Sequence, residues 1–373
     1  MSSIPPAPIK VGVLQRIVPS YRAAFFSLLG EALQDQFSLF AGDARKSENV
    51  HPAGDIAYVE RFTAKNIHIF EGKTYFCWQS GLMHWLKSWN PDVLIMEANP
   101  RYLHSRHAIH WMKNQNRPVI GWGLGTGGET NPSSMIGQQW WKFLSQFDMM
   151  ISYSQKGAEE FINMGVNPSH VVVAPNAVLR RPSTMIQRSP DFSENGPIIL
   201  YVGRLQERKK IDHLIQACAV VDRRRKLQLW IVGDGPEKER LKRIAEDILP
   251  DTRFFGALHG DDVVPLFEKA DLFVLPGTGG LAVQEAMSYG LPVIVAEADG
   301  TQSNLVRPEN GWMIQGDDHL QLTECLDAAL RSSEKLREMG RSSFSIVQNE
   351  VNLEIMVDVF LTTINTVMEK QGS

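Results

Sequence analysis

Short apolar runs rich in β-branched residues alternate with amphipathic stretches along most of the chain. Residues 9–14, 37–41, 93–97, 117–122, 149–152 and 171–174 read as strands, and 23–33, 103–113, 135–144 and 157–164 as helices between them. This alternation predicts a mostly parallel sheet covered by helices on both faces. Prolines, serines and the Asn195-Gly196 pair then break the pattern, which marks 181–196 as a linker. After the break the alternation restarts with "PIILYVG", a helix from residue 211, "LQLWIVG", a helix from 237, "TRFFG", a helix over 263–269, "DLFVLPG", "PVIVAE" and "GWMI". The chain therefore reads as an α/β domain over 1–180, a second over 197–345 and a helical extension over 346–373. The last helix, over 351–368, is expected to pack back on the first domain.

A chain of 373 residues is long enough for two such cores. Its 43% hydrophobic and 21% charged content excludes a disordered or fibrous chain, and a net charge of -4 provides no global field for nucleic acid. Cys77, Cys218 and Cys325 fit neither a metal spacing nor a disulfide framework, so a reducing, cytoplasmic setting is expected. Residues 1–8 lack the form of a secretory signal, and no run of apolar residues is long enough to span a bilayer. A membrane would be met only peripherally, from its inner face. Seven of the nine tryptophans fall between Trp78 and Trp141, an asymmetry that weights the first domain toward acceptor binding.

Domains of this kind bind ligands beyond the carboxyl ends of their strands, and two facing each other enclose a cleft. In "YVGRLQERKK", Arg204 follows a strand and Lys209 opens the next helix, an arrangement that suits either a solvated basic turn or a diphosphate clamp. In "LPGTGGLAVQEAMSYG", Gly277, Gly279 and Gly280 precede a helix whose N-terminus, at Gly280 and Leu281, offers N–H groups to phosphate. Glu285, one turn further along, can accept bonds from the adjacent hydroxyls of a ribose. Together these features describe a site for a nucleotide diphosphate-sugar.

The ordered pieces "VGRLQERK", "LWIVGDGPEKERL", "RFFGAL", "ADLFVLP", "GGLAVQEAMSYGLPVIV" and "NGWMI" resemble the nucleotide-sugar-binding domain of family 4 retaining glycosyltransferases. "SYSQKGAEEFINMGV" and "VVVAPNAV" resemble the end of that family's acceptor domain. The resemblance implies the glycosyltransferase B fold, two facing Rossmann-like domains, with an acceptor domain first and a donor domain second. It implies metal-independent retaining transfer of a hexose-like sugar, with Arg204 and Lys209 on the diphosphate, Gly280 and Leu281 on the phosphates and Glu285 on the ribose. No cofactor or metal is expected beyond the donor substrate. The acceptor would be a saccharide, a lipid-linked saccharide, a surface glycan or a small hydroxyl compound.

Three positions depart from the family pattern. Gly277 stands where the first of two glutamates is usual, and "LQRIVPSYRAAFF" replaces a glycine-rich loop after the first strand. Trp122 and Gly123 occupy the stretch where relatives often carry a histidine. Arg16, Tyr21, Arg22, Glu97, Trp122 and Gly123 are candidates for the cleft or the acceptor, and Gly125, Gly127 and Gly128 extend the loop beyond them. A catalytically inactive nucleotide-sugar sensor or scaffold and a nucleotide-sugar hydrolase are the alternatives to a transferase.

Overall fold

A computed structural model of the chain describes residues 9–45, 48, 50–70, 72, 75–127, 130–298, 301–316 and 318–372. Residues 1–8 and Gly128 lie outside the described residues. The chain divides into two compact units, one comprising residues 1–178 and 353–373 and the other residues 179–352.

The first unit is built on β1 (Val11–Ile17), β2 (Phe37–Gly42), β3 (Glu60–Ile69), β4 (Phe76–Ser80), β5 (Val93–Glu97), β6 (Val119–Gly123), β7 (Met149–Ser152) and β8 (Val171–Val173). They form one sheet in the order β4-β3-β2-β1-β5-β6-β7-β8, parallel except where β4 pairs antiparallel with β3. Helices α1 (Ala23–Ala32), α2 (Leu82–Trp89), α3 (Ser105–Lys113), α4 (Met135–Leu144) and α5 (Gln155–Asn163) connect them. The central strands β2 and β5 are buried along almost their whole length and mostly apolar because both faces are covered. By contrast, β3 alternates exposed and half-buried positions, "ERFTAKNIHI", and was not anticipated as a strand.

The second unit carries β9 (Ile198–Val202), β10 (Gln228–Val232), β11 (Arg253–Gly256), β12 (Leu272–Leu275), β13 (Val293–Ala296) and β14 (Gly311–Ile314). Their order is β11-β10-β9-β12-β13-β14, with every pair parallel. The helices are α6 (Ile211–Asp222), α7 (Lys238–Ile248), α8 (Val264–Lys269), α9 (Leu281–Ser288), α10 (Gln302–Leu305), α11 (His319–Ala329) and α12 (Ser333–Asn349). Each unit is Rossmann-like.

The last helix, α13 (Leu353–Gly372), returns to the first unit as expected and lies along α1. Met356, Phe360, Ile364 and Val367 are buried there with Phe25, Phe26 and Trp122. Two expected boundaries change. Residues 346–352 belong to the second unit with the end of α12, so the return to the first unit starts at Leu353. The 181–196 stretch, expected as a linker, is anchored to the second unit. Arg188 there donates to the carbonyls of Phe267 (2.7 Å), Ala270 (2.9 Å) and Tyr289 (2.6 Å), and Arg337 donates to Ser189 O (2.8 Å). One guanidinium serving several otherwise unmet carbonyls is enough to hold an irregular segment down.

The sequence reading also found no stretch suited to crossing a bilayer. Ser333–Gln371 meets the length and composition needed, but half of its apolar window is buried inside the protein. Its apolar residues serve the cores of the two units.

Candidate functional site

In the second sheet the strand order reverses between β9 and β12, which pair side by side. Loops leaving the carboxyl ends of two such strands run to opposite sides and leave a crevice, where ligands of open α/β sheets bind. The loop after β9 carries Gly203 and Arg204, then a 3-10 turn at Glu207–Lys209; the loop after β12 is Pro276–Gly280, followed by α9. Chain topology thus brings together two segments some seventy residues apart in sequence.

The two loops are joined atom to atom. Thr278 N donates to Arg208 O at 3.2 Å, Arg208 Nη1 to Thr278 Oγ1 at 2.8 Å, and Lys209 Nζ to Thr278 O at 2.5 Å. A Cβ on Gly277 would lie 2.4 Å from Arg208 O and 2.6 Å from Lys209 Cα, so the 3-10 turn occupies the space a side chain would need. Gly277 is not a left-handed position. Its glycine is a matter of room, which explains in this chain the departure seen in the sequence. Gly279 is required by its backbone, whose φ of 137° favours glycine, and the Lys209 ammonium lies where its Cβ would be.

Gly280 is the N-cap of α9, and no side chain caps this end. The first N–H groups of a helix lack intrahelical acceptors and carry the positive end of the helix dipole, so they suit an anion. Beneath the turn, Gln302 is 1% exposed; its Nε2 donates to Gly279 O at 2.8 Å, while its Oε1 has no partner among the described residues. Arg204 is exposed, and neither it nor Arg208 nor Lys209 is paired with a carboxylate among the described residues. In the same unit Lys238, Arg240 and Arg307 each have such a partner. Partial burial, with Arg208 adding to the effect, pulls the Lys209 ammonium down to about 8. Glu285 is half-buried on α9 with no side-chain hydrogen bond among the described residues, and burial raises its pKa. An ionisable group left in that condition calls for an external partner.

Of the residues singled out in the second half of the sequence, Arg204, Lys209, Gly280 and Leu281 lie on these joined loops, with Glu285 one turn along α9. Sequence reasoning missed Arg208, Thr278 and Gln302. The "ERKK" run contained Arg208, but only the fold reveals which cation of that run meets Thr278.

The first unit has its own reversal, at β1 and β5, and the remaining candidates gather there. Arg16 N donates to Glu97 Oε2 at 2.5 Å, and Arg16 Nη1 to Glu48 at 3.0 Å. Burial opposes ionisation of Glu48, yet bonds from Arg16 and Arg45 hold its carboxylate down at about 2. Burial raises Glu97 to about 7 against the opposing Arg16 N–H. Tyr21 is exposed at 41%, and Gly123 is half-buried at the end of β6, beside Ala98 and Phe161. Two candidates are not presented to a ligand. Trp122, 1% exposed, packs on Phe25, Phe26, Tyr153 and Phe360. Arg22, 4% exposed, donates to Asn176 Oδ1 at 2.6 Å and lies over the Trp122 and Tyr153 rings at 5.2 and 5.0 Å. From sequence Trp122 reads as the end of a strand and Arg22 as part of the turn before a helix, places that open toward a ligand; the return of α13 roofs them over.

Residues 183–345 match the family model for glycosyl transferases group 1. Curated relatives include a GDP-mannose-dependent monoacylated alpha-(1-6)-phosphatidylinositol monomannoside mannosyltransferase of Corynebacterium glutamicum, 33% identical over 44% of this chain and 46% of that protein. A D-inositol 3-phosphate glycosyltransferase of Gordonia bronchialis is 26% identical over 78% of this chain and 65% of that one. The chain therefore spans about half to two thirds of the length of these relatives. Among solved structures, the apo lipopolysaccharide outer core galactosyltransferase WaaB superposes with a TM-score of 0.69 at 15% identity, covering 96% of this chain and 99% of that one. The Anabaena protein HepE in complex with UDP gives 0.68 at 17% identity, with coverage of 96% and 100%. These likenesses show the glycosyltransferase B fold, and the family match relates the second unit to the group 1 transferases.

Proposed function

We propose that the protein is a family 4 retaining glycosyltransferase that moves a hexose-like sugar from a nucleotide diphosphate-sugar to a hydroxyl acceptor. The observation that supports this reading most is the composition of the second unit's crevice: three cations and the carboxylate of Glu285, all without an ionic partner among the described residues, beside a helix N-terminus that no side chain caps. In this reading the α9 N-terminus and Lys209 hold the diphosphate, Arg204 closes over it, and Glu285 accepts from the ribose hydroxyls. When the bond from the anomeric carbon to the diphosphate breaks, these groups stabilise the negative charge that develops on the leaving oxygen. The acceptor oxygen bonds to the same face of that carbon, and its proton passes to the departing phosphate. The fixed cations supply the positive charge, so no divalent ion has a required part.

The first unit is read as the acceptor half, with Arg16, Tyr21, Glu97 and Gly123 at its sheet edge. A lipid-linked saccharide or surface glycan at the inner face of a membrane fits relatives whose names specify a phosphatidylinositol monomannoside or a lipopolysaccharide core. Saturation-transfer NMR with UDP-, GDP- and ADP-sugars tests the donor site. Selective binding that is lost in Arg204→Ala and Glu285→Ala supports it, and a folded protein that binds none of them overturns it. Transfer of radiolabelled sugar to an acceptor screen separates a transferase from a hydrolase, which releases free sugar, and from a sensor, which releases nothing.

A further inference from the structure

We infer that the donor carries an acidic sugar, a uronic acid linked to the nucleoside diphosphate, and that Arg208 is the residue that selects it. The inference rests on the proposed donor site and concerns the end of that site opposite the ribose. Along α9 each residue advances about 1.5 Å, so Glu285 lies roughly 6 Å from Leu281 at the helix start. A diphosphate at the N-terminus with its ribose at Glu285 has its other end at the loop before the helix, where Thr278 meets Arg208.

Three observations give that end its charge. Arg208 is exposed, and its guanidinium is oriented by two neutral oxygens, Thr278 Oγ1 at 2.8 Å and Gln206 Oε1 at 3.2 Å. It has no carboxylate partner among the described residues, unlike Arg240 and Arg307, which are each bonded to one. No acidic side chain can be placed at Gly277 in this backbone, because Arg208 O and the Lys209 backbone fill the position of its Cβ. The loop therefore offers a braced planar fork where hydroxyl recognition would call for an acceptor. Such a fork matches a carboxylate in two parallel bonds, whereas a neutral hydroxymethyl group in the same place leaves the guanidinium unpaired. Lys209, turned back onto Thr278 O, is free to move to the diphosphate without disturbing Arg208.

Calorimetric titration with matched pairs tests this: UDP, UDP-glucose, UDP-glucuronate, UDP-galactose and UDP-galacturonate, and GDP, GDP-mannose and GDP-mannuronate. The expected result is that a uronate binds roughly tenfold or more tightly than its neutral counterpart. In Arg208→Gln that preference falls to within about twofold, and Thr278→Val, which removes the strut, loses part of it. Equal binding of neutral and acidic sugars by the wild-type protein overturns the inference and leaves the donor site standing. A uniform loss across all nucleotides in Arg208→Gln, with the variant shown folded by circular dichroism, assigns Arg208 to the diphosphate and also overturns it. Failure of the wild-type protein to bind any nucleotide removes the donor site and the inference together.

Discussion

At the edge of the first sheet, Arg22 is enclosed by aromatic rings and bonded to Asn176, and Arg16 is tied to Glu48. At the edge of the second, Arg204, Arg208 and Lys209 stand without a carboxylate among the described residues. The two edges occupy the same topological place, the point where strand order reverses, and both are rich in cations. What separates them is whether the protein itself completes each cation's bonding. A guanidinium satisfied from within acts as structure; one held in position with its charge unanswered is prepared for an anion.

Exchanging the two behaviours by mutation is the most direct way to break this comparison. Arg22→Ala removes contacts with the rings of Tyr21, Trp122 and Tyr153, the hydrogen bond to Asn176 and the packing of a long side chain. The expected cost is about 2–4 kcal/mol, read by differential scanning calorimetry as a melting point lower by roughly 5–10 °C. Arg204→Ala should stay within about 0.5 kcal/mol in stability while nucleotide-sugar affinity falls at least about tenfold. If Arg204→Ala unfolds the protein or Arg22→Ala is silent, the division between structural and ligand-facing cations is wrong.

Gly277 sharpens the second half of the comparison. Placing a glutamate at this position, Gly277→Glu, brings a Cβ within 2.4 Å of Arg208 O and must displace the turn that carries Arg208 and Lys209. Overpacking of this kind costs about 1–3 kcal/mol, and nucleotide binding should fall with it. Gly277→Ala should show the same loss, since the clash begins at Cβ. Tighter binding in Gly277→Glu would mean that the turn yields easily.

The pH dependence of donor binding gives a smaller, signed effect. Lys209 carries its proton below about 8, where its folded pKa lies, and an ammonium binds diphosphate better than an amine. Affinity for a nucleotide-sugar should therefore be level below pH 8 and weaken above it, by up to about tenfold per pH unit. Lys209→Met should bind weakly and without that slope. The same shift makes the charged lysine a stability cost, present below pH 8 and relieved as pH rises toward its ordinary value.

Much of this was legible in the sequence, for identifiable reasons. Buried parallel strands such as "VIVA" and "LFVL" are apolar throughout and bounded by glycine or proline, so the alternation of the second unit was readable almost element by element. The half-exposed β3 and the short β4 gave no such signal. Arg204, Lys209 and Glu285 were legible because spacing from a strand end or helix start places them. The fates of Arg22 and Trp122 depend on α13, more than 200 residues downstream, and no local pattern carries that information. Arg208 and Gly277 form a single feature, turn against glycine, whose halves are meaningless apart.

A second signed pH effect belongs to Glu97, a carboxylate at the first edge that burial holds against ionisation. Its folded pKa, raised by burial to about 7 from an ordinary 4.5, means that the folded state keeps a proton the unfolded chain has released between those values. Stability should therefore fall as pH rises from 4.5 to 7 and level off above, the reverse of the contribution from Glu48, whose depressed pKa adds stability above about 4.5 that is lost as pH falls toward 2. Glu97→Gln keeps an oxygen for Arg16 N–H but cannot ionise, so its melting point should gain on that of the wild-type protein progressively across pH 4.5–7 and hold a constant lead above 7. A lead already present at pH 4 would point to packing in place of charge, and no lead at any pH would mean that Arg16 and its surroundings meet this carboxylate as fully as they meet Glu48.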